Sequence, residues 1–181
     1  MKINSLYENM EDEVLVSEEE LKQIVERLGE EITKDYEGKD LLLVCILKGS
    51  VIFMADLMRA IKVPCRIDFM AVSSYGDKKE SSGEVKIIKD LDYSLAGKDL
   101  LIVEDILDSG RTLAFLRNWL SSRNPNSIKI CTLIDKPDRH AKDIDIKADY
   151  VGCHVPDKFI VGYGLDYDEY YRNLPFIGVV K

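Results

Sequence analysis

Leu100-Leu101-Ile102-Val103-Glu104-Asp105-Ile106-Leu107-Asp108-Ser109-Gly110-Arg111-Thr112 says more about the architecture than any other run in the chain. Its first four residues are apolar and β-favouring, the pattern of a strand buried on both faces. Glu104 and Asp105 close that strand side by side, and adjacent side chains of an extended chain point to opposite faces. Such a pair suits a sugar diol or the water shell of a magnesium ion better than direct chelation of one metal. Asp108-Ser109-Gly110 then turns the chain into a helix with Leu113, Leu116, Trp119 and Leu120 on one face. Free N–H groups, small hydroxyls and a glycine at a helix start make an anion cradle. The plainer alternative is two acids ending a strand in solvent, with Asp108 or Ser109 capping the next helix.

On either side, strand-like and helical runs alternate. Ser17-Glu18-Glu19-Glu20 is a capping box opening a helix with Leu21, Ile24, Val25, Leu28 and Ile32 on one face. Leu41–Leu47 is a continuous apolar run of strand length, broken by Lys48-Gly49-Ser50. Val51–Ile61 is apolar almost all round and predicts a buried helix. Strands are expected at Arg66–Val72, Val85–Ile88, Ile128–Ile134, Val151–His154, Phe159–Val161 and Ile177–Val180. Ser73–Glu84 is too polar to pack a core, and a loop of that length is either disordered or a lid. The alternation gives βαβ units: an α/β fold, a largely parallel sheet with helices on both faces. Right-handed crossovers gather the strand C-termini at one edge, where ligands bind in such folds.

Composition narrows the partners. The chain has 181 residues, 46% hydrophobic and 32% charged, which fits one soluble globular domain. Residues 1–40 carry the whole net charge of −8 and the remainder is balanced. A broad basic face for nucleic acid is therefore not expected. The longest apolar run is far short of the ~20 residues that cross a bilayer, so no membrane partner is expected. Met1–Glu13 has no apolar core of a secretory signal. Cys45, Cys65, Cys131 and Cys153 show no C-x-x-C spacing and read as free buried thiols in a reducing, cytoplasmic setting. His140 and His154 match no metal-ligand spacing and read as structural or exposed, and Tyr163, Tyr167, Tyr170 and Tyr171 read as packing for a small cap. A phosphatase would want D-x-D after the strand at 100–103, where this chain has adjacent Glu104-Asp105, and a dinucleotide oxidoreductase would want G-x-G-x-x-G, for which Gly162-Tyr163-Gly164 comes too late and lacks the third glycine.

As a unit, residues 100–112 strongly resemble the signature loop of phosphoribosyltransferases that use phosphoribosyl pyrophosphate (PRPP). The resemblance implies the type I phosphoribosyltransferase fold: a mostly parallel central sheet flanked by helices, with a small hood from the terminal segments. It implies one domain over 1–181, with a core of about 40–155, a hood from about 1–15 and 155–181, and a lid of about 73–84. Glu104, Asp105, Asp108, Ser109, Gly110, Arg111 and Thr112 would then hold the ribose and its 5-phosphate, Arg111 through its backbone N–H alone, because relatives vary there. Leu47-Lys48-Gly49 resembles the pyrophosphate turn, which in relatives carries a cis peptide before the lysine. Ser74-Tyr75 resembles the start of the mobile lid.

Ile134-Asp135-Lys136-Pro137 and Val155–Tyr163, leading to Leu165-Asp166-Tyr167, are similar to the 6-oxopurine branch, the hypoxanthine-guanine phosphoribosyltransferases. By that resemblance Lys136 donates to the purine 6-oxygen, Phe159 stacks on the ring and Ile160 meets the base edge through its backbone. Asp166 borders the purine and binds magnesium on the pyrophosphate, and Arg172 holds the pyrophosphate. The metal set is Glu104, Asp105 and Asp166, the cofactor Mg²⁺, and the catalytic group Asp108, acting at purine N7. A cation beside the 6-position favours an oxo group over the 6-amino group of adenine. The implied activity transfers the phosphoribosyl group to hypoxanthine and/or guanine in a homodimer or homotetramer. A xanthine-preferring enzyme and a non-catalytic nucleotide-binding regulator are the alternatives.

Overall fold

Leu41–Leu47 forms β2, and its seven residues sit at the centre of a six-stranded sheet of order β4-β3-β2-β5-β6-β7. The computed structural model describes residues 10–74 and 85–180. In chain order the other elements of this sheet are β3 (Cys65–Ser74), β4 (Val85–Lys89), β5 (Asp99–Leu107), β6 (Ser127–Asp135) and β7 (Tyr150–His154). Leu41 pairs with Cys65 on one side and Asp99 on the other, both in parallel register. β4 is antiparallel to β3 at one margin, and the remaining pairings are parallel. Leu47, Leu107, Asp135 and His154 therefore end at the same edge.

Three helices cover the faces: α1 (Glu18–Asp35), α2 (Val51–Ala60) and α3 (Arg111–Ser121). Leu21, Val25, Leu28 and Ile32 of α1 pack with Phe53, Met54 and Leu57 of α2 onto Leu41, Leu43, Leu101 and Val103. Leu113, Leu116 and Leu120 of α3 pack on the other face, against Leu42, Val44, Leu100 and Ile102. Alternate residues of a strand serve opposite cores, so Leu41–Leu47 of β2 and Leu100–Val103 of β5 are apolar at every position. No helix among the described residues is long and apolar enough to cross a membrane. All four cysteines are free, and burial pushes the Cys45 thiol up to about 11.

A second sheet of three strands, order β1-β9-β8, contains β1 (Met10–Val16), β8 (Ile160–Val161) and β9 (Ile177–Val180). β1 is absent from the sequence-based expectation. Its acids mask the alternation, and its partner is β9 at the far end of the chain, so no local pattern announces it. A second difference concerns α2. Val51 and Ile52 are each 38% exposed, because α1 and the sheet cover one side of this helix and leave the other open. Of the expected lid, Ser73 and Ser74 end β3, while Tyr75 and residues 76–84 lie outside the described residues.

Candidate active site

β5 runs beside β2 only as far as the pair Cys45–Val103. Beyond that point β2 leaves through a turn whose Leu47–Lys48 peptide is cis, and Gly49 takes the place of a paired strand residue. A Cβ on Gly49 would lie 1.6 Å from Asp105 Oδ2, so only glycine lets the turn close onto the carboxylate. On its other side, the Gly49 carbonyl sits against Gly164 just as tightly. The turn, the β5 end and the C-terminal loop thus meet with nothing between them.

Glu104 and Asp105 are adjacent residues of β5, expected to leave it on opposite faces. Both line one cleft of about 500 Å³ together with Lys48, Gly49, Asp108, Ser109, Gly110, Thr112, Asp166 and Arg172. The cleft wraps round the sheet edge, so side chains leaving either face reach it. The acids do not end in solvent either: they are 8% and 9% exposed, and the Asp105 N–H donates to Glu104 Oε1 at 3.3 Å. Burial raises both carboxyl pKa values, and for Glu104 the Asp105 charge adds to it. Hydrogen bonding to Glu104 opposes the rise at Asp105, and Arg172 acts on it in the same sense through space.

The turn 108–110 opens α3 without a side-chain cap. Gly110 is the N-cap at φ +82°, and a Cβ there would also meet Ile146 Cγ2 at 2.4 Å. Ser109 Oγ accepts from Arg111 N–H only at 3.4 Å. No side chain caps the helix, and Asp108, Ser109, Gly110 and Thr112 line the cleft at its start. The Arg111 guanidinium turns away to Asp143, at 2.9 Å. A larger cleft, about 1010 Å³, lies between α1, α2 and residues 172–175. It has no such helix start, since Ser17 and Glu20 close the α1 N-terminus as a capping box.

Cations converge on the smaller cleft. Lys48 Nζ pairs with Glu169 at 2.7 Å, and Arg172 bonds Asp166 at 3.0 Å and the Gly164 carbonyl at 2.8 Å. Tyr163, Asp168, Glu169 and Tyr171 all have positive φ in this loop, a rare density for non-glycine residues. Arg139 Nε lies 3.0 Å from Asp108 Oδ1 and 3.7 Å from Asp157. Arg139 and Glu169 were not singled out from sequence. Pro137, which turns the chain back after Lys136, was the available hint for Arg139; nothing local pointed to Glu169.

Lys136, Phe159 and Ile160 stand apart from that lining but adjoin it. Lys136 N–H donates to the Leu107 carbonyl at 3.0 Å, next to Asp108. Its side chain is buried rather than solvated, and Nζ donates to the Lys158 carbonyl at 2.5 Å. Phe159 is 56% exposed, not core, and meets Tyr167 edge-on at 5.6 Å. Lys158 Nζ is held by both Glu13 carboxylate oxygens at 2.8 and 2.6 Å, so β1 braces this segment. Of the four tyrosines expected as packing, Tyr163 and Tyr171 are buried, whereas Tyr167 and Tyr170 are exposed.

Among the described residues, no group of three or more His, Cys, Asp or Glu side chains converges tightly enough to hold a metal alone. Magnesium does not require one: it commonly takes one or two carboxylates and completes its shell with water and substrate oxygens. Two buried carboxyls that repel each other fit that demand.

A mostly parallel sheet whose edge joins a buried carboxylate pair to a helix start without a side-chain cap is an α/β enzyme architecture. Residues 13–168 match the family model described as a phosphoribosyl transferase domain. The chain is 55% identical over 169 residues to a hypoxanthine-guanine phosphoribosyltransferase of Staphylococcus aureus, covering 93% of each chain. It is 53% identical over 168 residues to that of Streptococcus thermophilus, covering 93% and 92%. A crystal structure of a hypoxanthine phosphoribosyltransferase from S. aureus superposes with a TM-score of 0.93 at 51% identity, covering 100% of this chain and 97% of the other. The chain belongs to the phosphoribosyltransferase family, in its hypoxanthine-guanine branch, and its fold is the type I fold of that family.

Proposed function

We propose that the cleft transfers the 5-phosphoribosyl group of PRPP to N9 of hypoxanthine or guanine, giving IMP or GMP and pyrophosphate. The observation that carries this reading is the uncapped α3 N-terminus beside the buried Glu104–Asp105 pair. The 5-phosphate takes the backbone N–H groups and hydroxyls of residues 108–112, and the pyrophosphate takes Lys48, Gly49 and Arg172. Glu104 and Asp105 face the ribose and, with Asp166, hold Mg²⁺, which when bound neutralises charge on the pyrophosphate leaving group.

As the C1′–O bond loosens, the carboxylates stabilise the positive charge that grows on the sugar, and Lys48 and Arg172 stabilise the departing negative charge. Arg139 occupies Asp108 Oδ1, leaving Oδ2 to accept from purine N7–H and so make N9 the better nucleophile. Lys136 reads the 6-oxygen, Phe159 stacks and Ile160 presents its backbone. Four free cysteines suit a cytoplasmic setting. The terminal segments act as a hood over the core, and the chain forms a homodimer or homotetramer, for which exposed Val51 and Ile52 on α2 are the support.

The test is a spectrophotometric screen with PRPP, Mg²⁺ and each of hypoxanthine, guanine, xanthine, adenine and uracil, run on the wild type and Asp108→Asn. The variant is expected to lose about 10²–10⁴-fold in kcat while keeping its PRPP affinity. An unchanged kcat removes Asp108 from the role, and turnover of adenine or uracil but no 6-oxopurine removes the base assignment.

A further inference from the structure

Asp135 closes β6 and is 8% exposed, and although it lies within the run 134–137 it has been given no role of its own. Its two carboxylate oxygens face two histidines. His140 Nε2 donates to Oδ1 at 2.6 Å, and His154 Nδ1 lies 3.4 Å from Oδ2. These are the only two histidines in the sequence. They arrive from different directions: His140 ends the short 3-10 turn Pro137–Arg139 that follows Lys136, and His154 closes β7. His154 is the register partner of Asp135 across the β6–β7 pairing, and the Asp135 carbonyl accepts from Val155 N–H at 3.1 Å.

Each histidine therefore marks one segment of the proposed base site. The His140 side is the loop that begins with Lys136. The His154 side opens the run through Lys158, Phe159 and Ile160. Where the two segments meet again, the contacts are the bond from Lys136 Nζ to the Lys158 carbonyl and the looser Arg139–Asp157 pair at 3.7 Å. A purine 6-oxygen that accepts from another N–H of Lys136 Nζ pulls the same ammonium toward the base and loads the Lys158 contact. The spacing between lysine and aromatic ring then needs another fixed point, and the Asp135 carboxylate is placed to be one. A short hydrogen bond to an ionised group is among the stronger ones available, and burial sharpens it.

We propose that Asp135, clasped by His140 and His154, is a positioning residue for purine recognition, stapling the Lys136 loop to the strand end that leads to Phe159 and Ile160. It touches neither base nor PRPP. The proposal rests on the assignment of Lys136, Phe159 and Ile160 to the base, so its test carries an arm for that assignment.

Steady-state kinetics on the purified enzyme compare His140→Leu, His140→Gln and Lys136→Ala. His140→Leu removes the donor and is expected to raise the purine KM about tenfold, the equivalent of losing one good hydrogen bond. The KM for PRPP and kcat should stay within about twofold, a split that general loosening of the fold would not produce. His140→Gln keeps an N–H donor and should restore most of the purine KM. A purine KM within twofold of wild type in His140→Leu, with Lys136→Ala strongly impaired, overturns the staple and leaves the base assignment standing. An unimpaired Lys136→Ala overturns both. If His140→Leu does not fold, the wild-type enzyme labelled with ¹⁵N-histidine answers the same question. GMP should slow solvent exchange of the His140 Nε2 proton severalfold, and unchanged exchange overturns the proposal.

Discussion

Gly49→Ala puts one methyl group into the closest contact in the cleft. The new Cβ would lie 1.6 Å from Asp105 Oδ2 and 2.7 Å from its Cγ, where real Cβ contacts essentially never fall below 3.0 Å. The oxygen must retreat by at least the difference, 1.4 Å. Asp105 can yield by rotating its side chain, so the fold survives at an overpacking cost of about 1–3 kcal/mol. The carboxylate, however, no longer stands beside Glu104. A misplacement of about 1 Å in a positioned group is worth roughly 10²-fold in rate, and kcat/KM for PRPP should fall by about that factor. Thermal melts and PRPP-dependent initial rates measure the two effects on the same preparations. A double-mutant cycle isolates the cause: in an Asp105→Ala background the stability cost of Gly49→Ala should largely vanish. Should the variant keep kcat/KM for PRPP within threefold of wild type, or the cycle show no coupling, the close approach of turn and carboxylate is not what organises this cleft.

Glu104→Gln trades activity for stability. Burial and the Asp105 charge raise the Glu104 pKa above its ordinary 4.5, so with rising pH the unfolded chain loses its proton first and folding stability falls through that interval. The loss persists above the raised folded value, and a neutral amide escapes it. In EDTA at pH 7 and above the variant should melt higher than wild type, by about 1–3 kcal/mol, with the gap closing toward pH 4. Equal melting at pH 7.5 refutes the mutual strain of the pair. Tyr163→Phe removes the phenol that donates to Asp56 and ties the Asp166–Arg172 loop to α2. Chemical denaturation should report a loss of about 1.5–3 kcal/mol, the range for a hydrogen bond to a charged group, and a change under 0.5 kcal/mol would remove that tie.

The strands legible from sequence are those whose faces are both buried. Leu41–Leu47 and Leu100–Val103 are apolar at consecutive positions because each feeds two cores. β1 escaped notice for the converse reason: its register is set by β9, more than 150 residues away. α2 misled because apolarity records what a helix can bury, not what packs against it. At the site, residue types and spacing singled out Glu104, Asp105 and Asp108, whereas Lys136 was singled out only by the family resemblance. Their relations did not follow from spacing: that both acids border one cleft with Lys48 and Arg172 depends on the packed fold.

The sequence by itself determined the largely parallel sheet, the edge at which its strands finish and the glycine turn that opens α3 at residues 108–112. Those depend on hydrophobic periodicity and on glycine and capping chemistry, which act over a few residues. Tertiary structure alone decided that Gly49 presses on Asp105, that Arg139 meets Asp108, that Glu169 holds Lys48 and that Asp135 lies between His140 and His154. Most of those contacts join segments that only the packed fold brings together, and the Asp105 and Asp135 carboxylates are buried where charge and hydrogen bonding are screened less than in the extended chain.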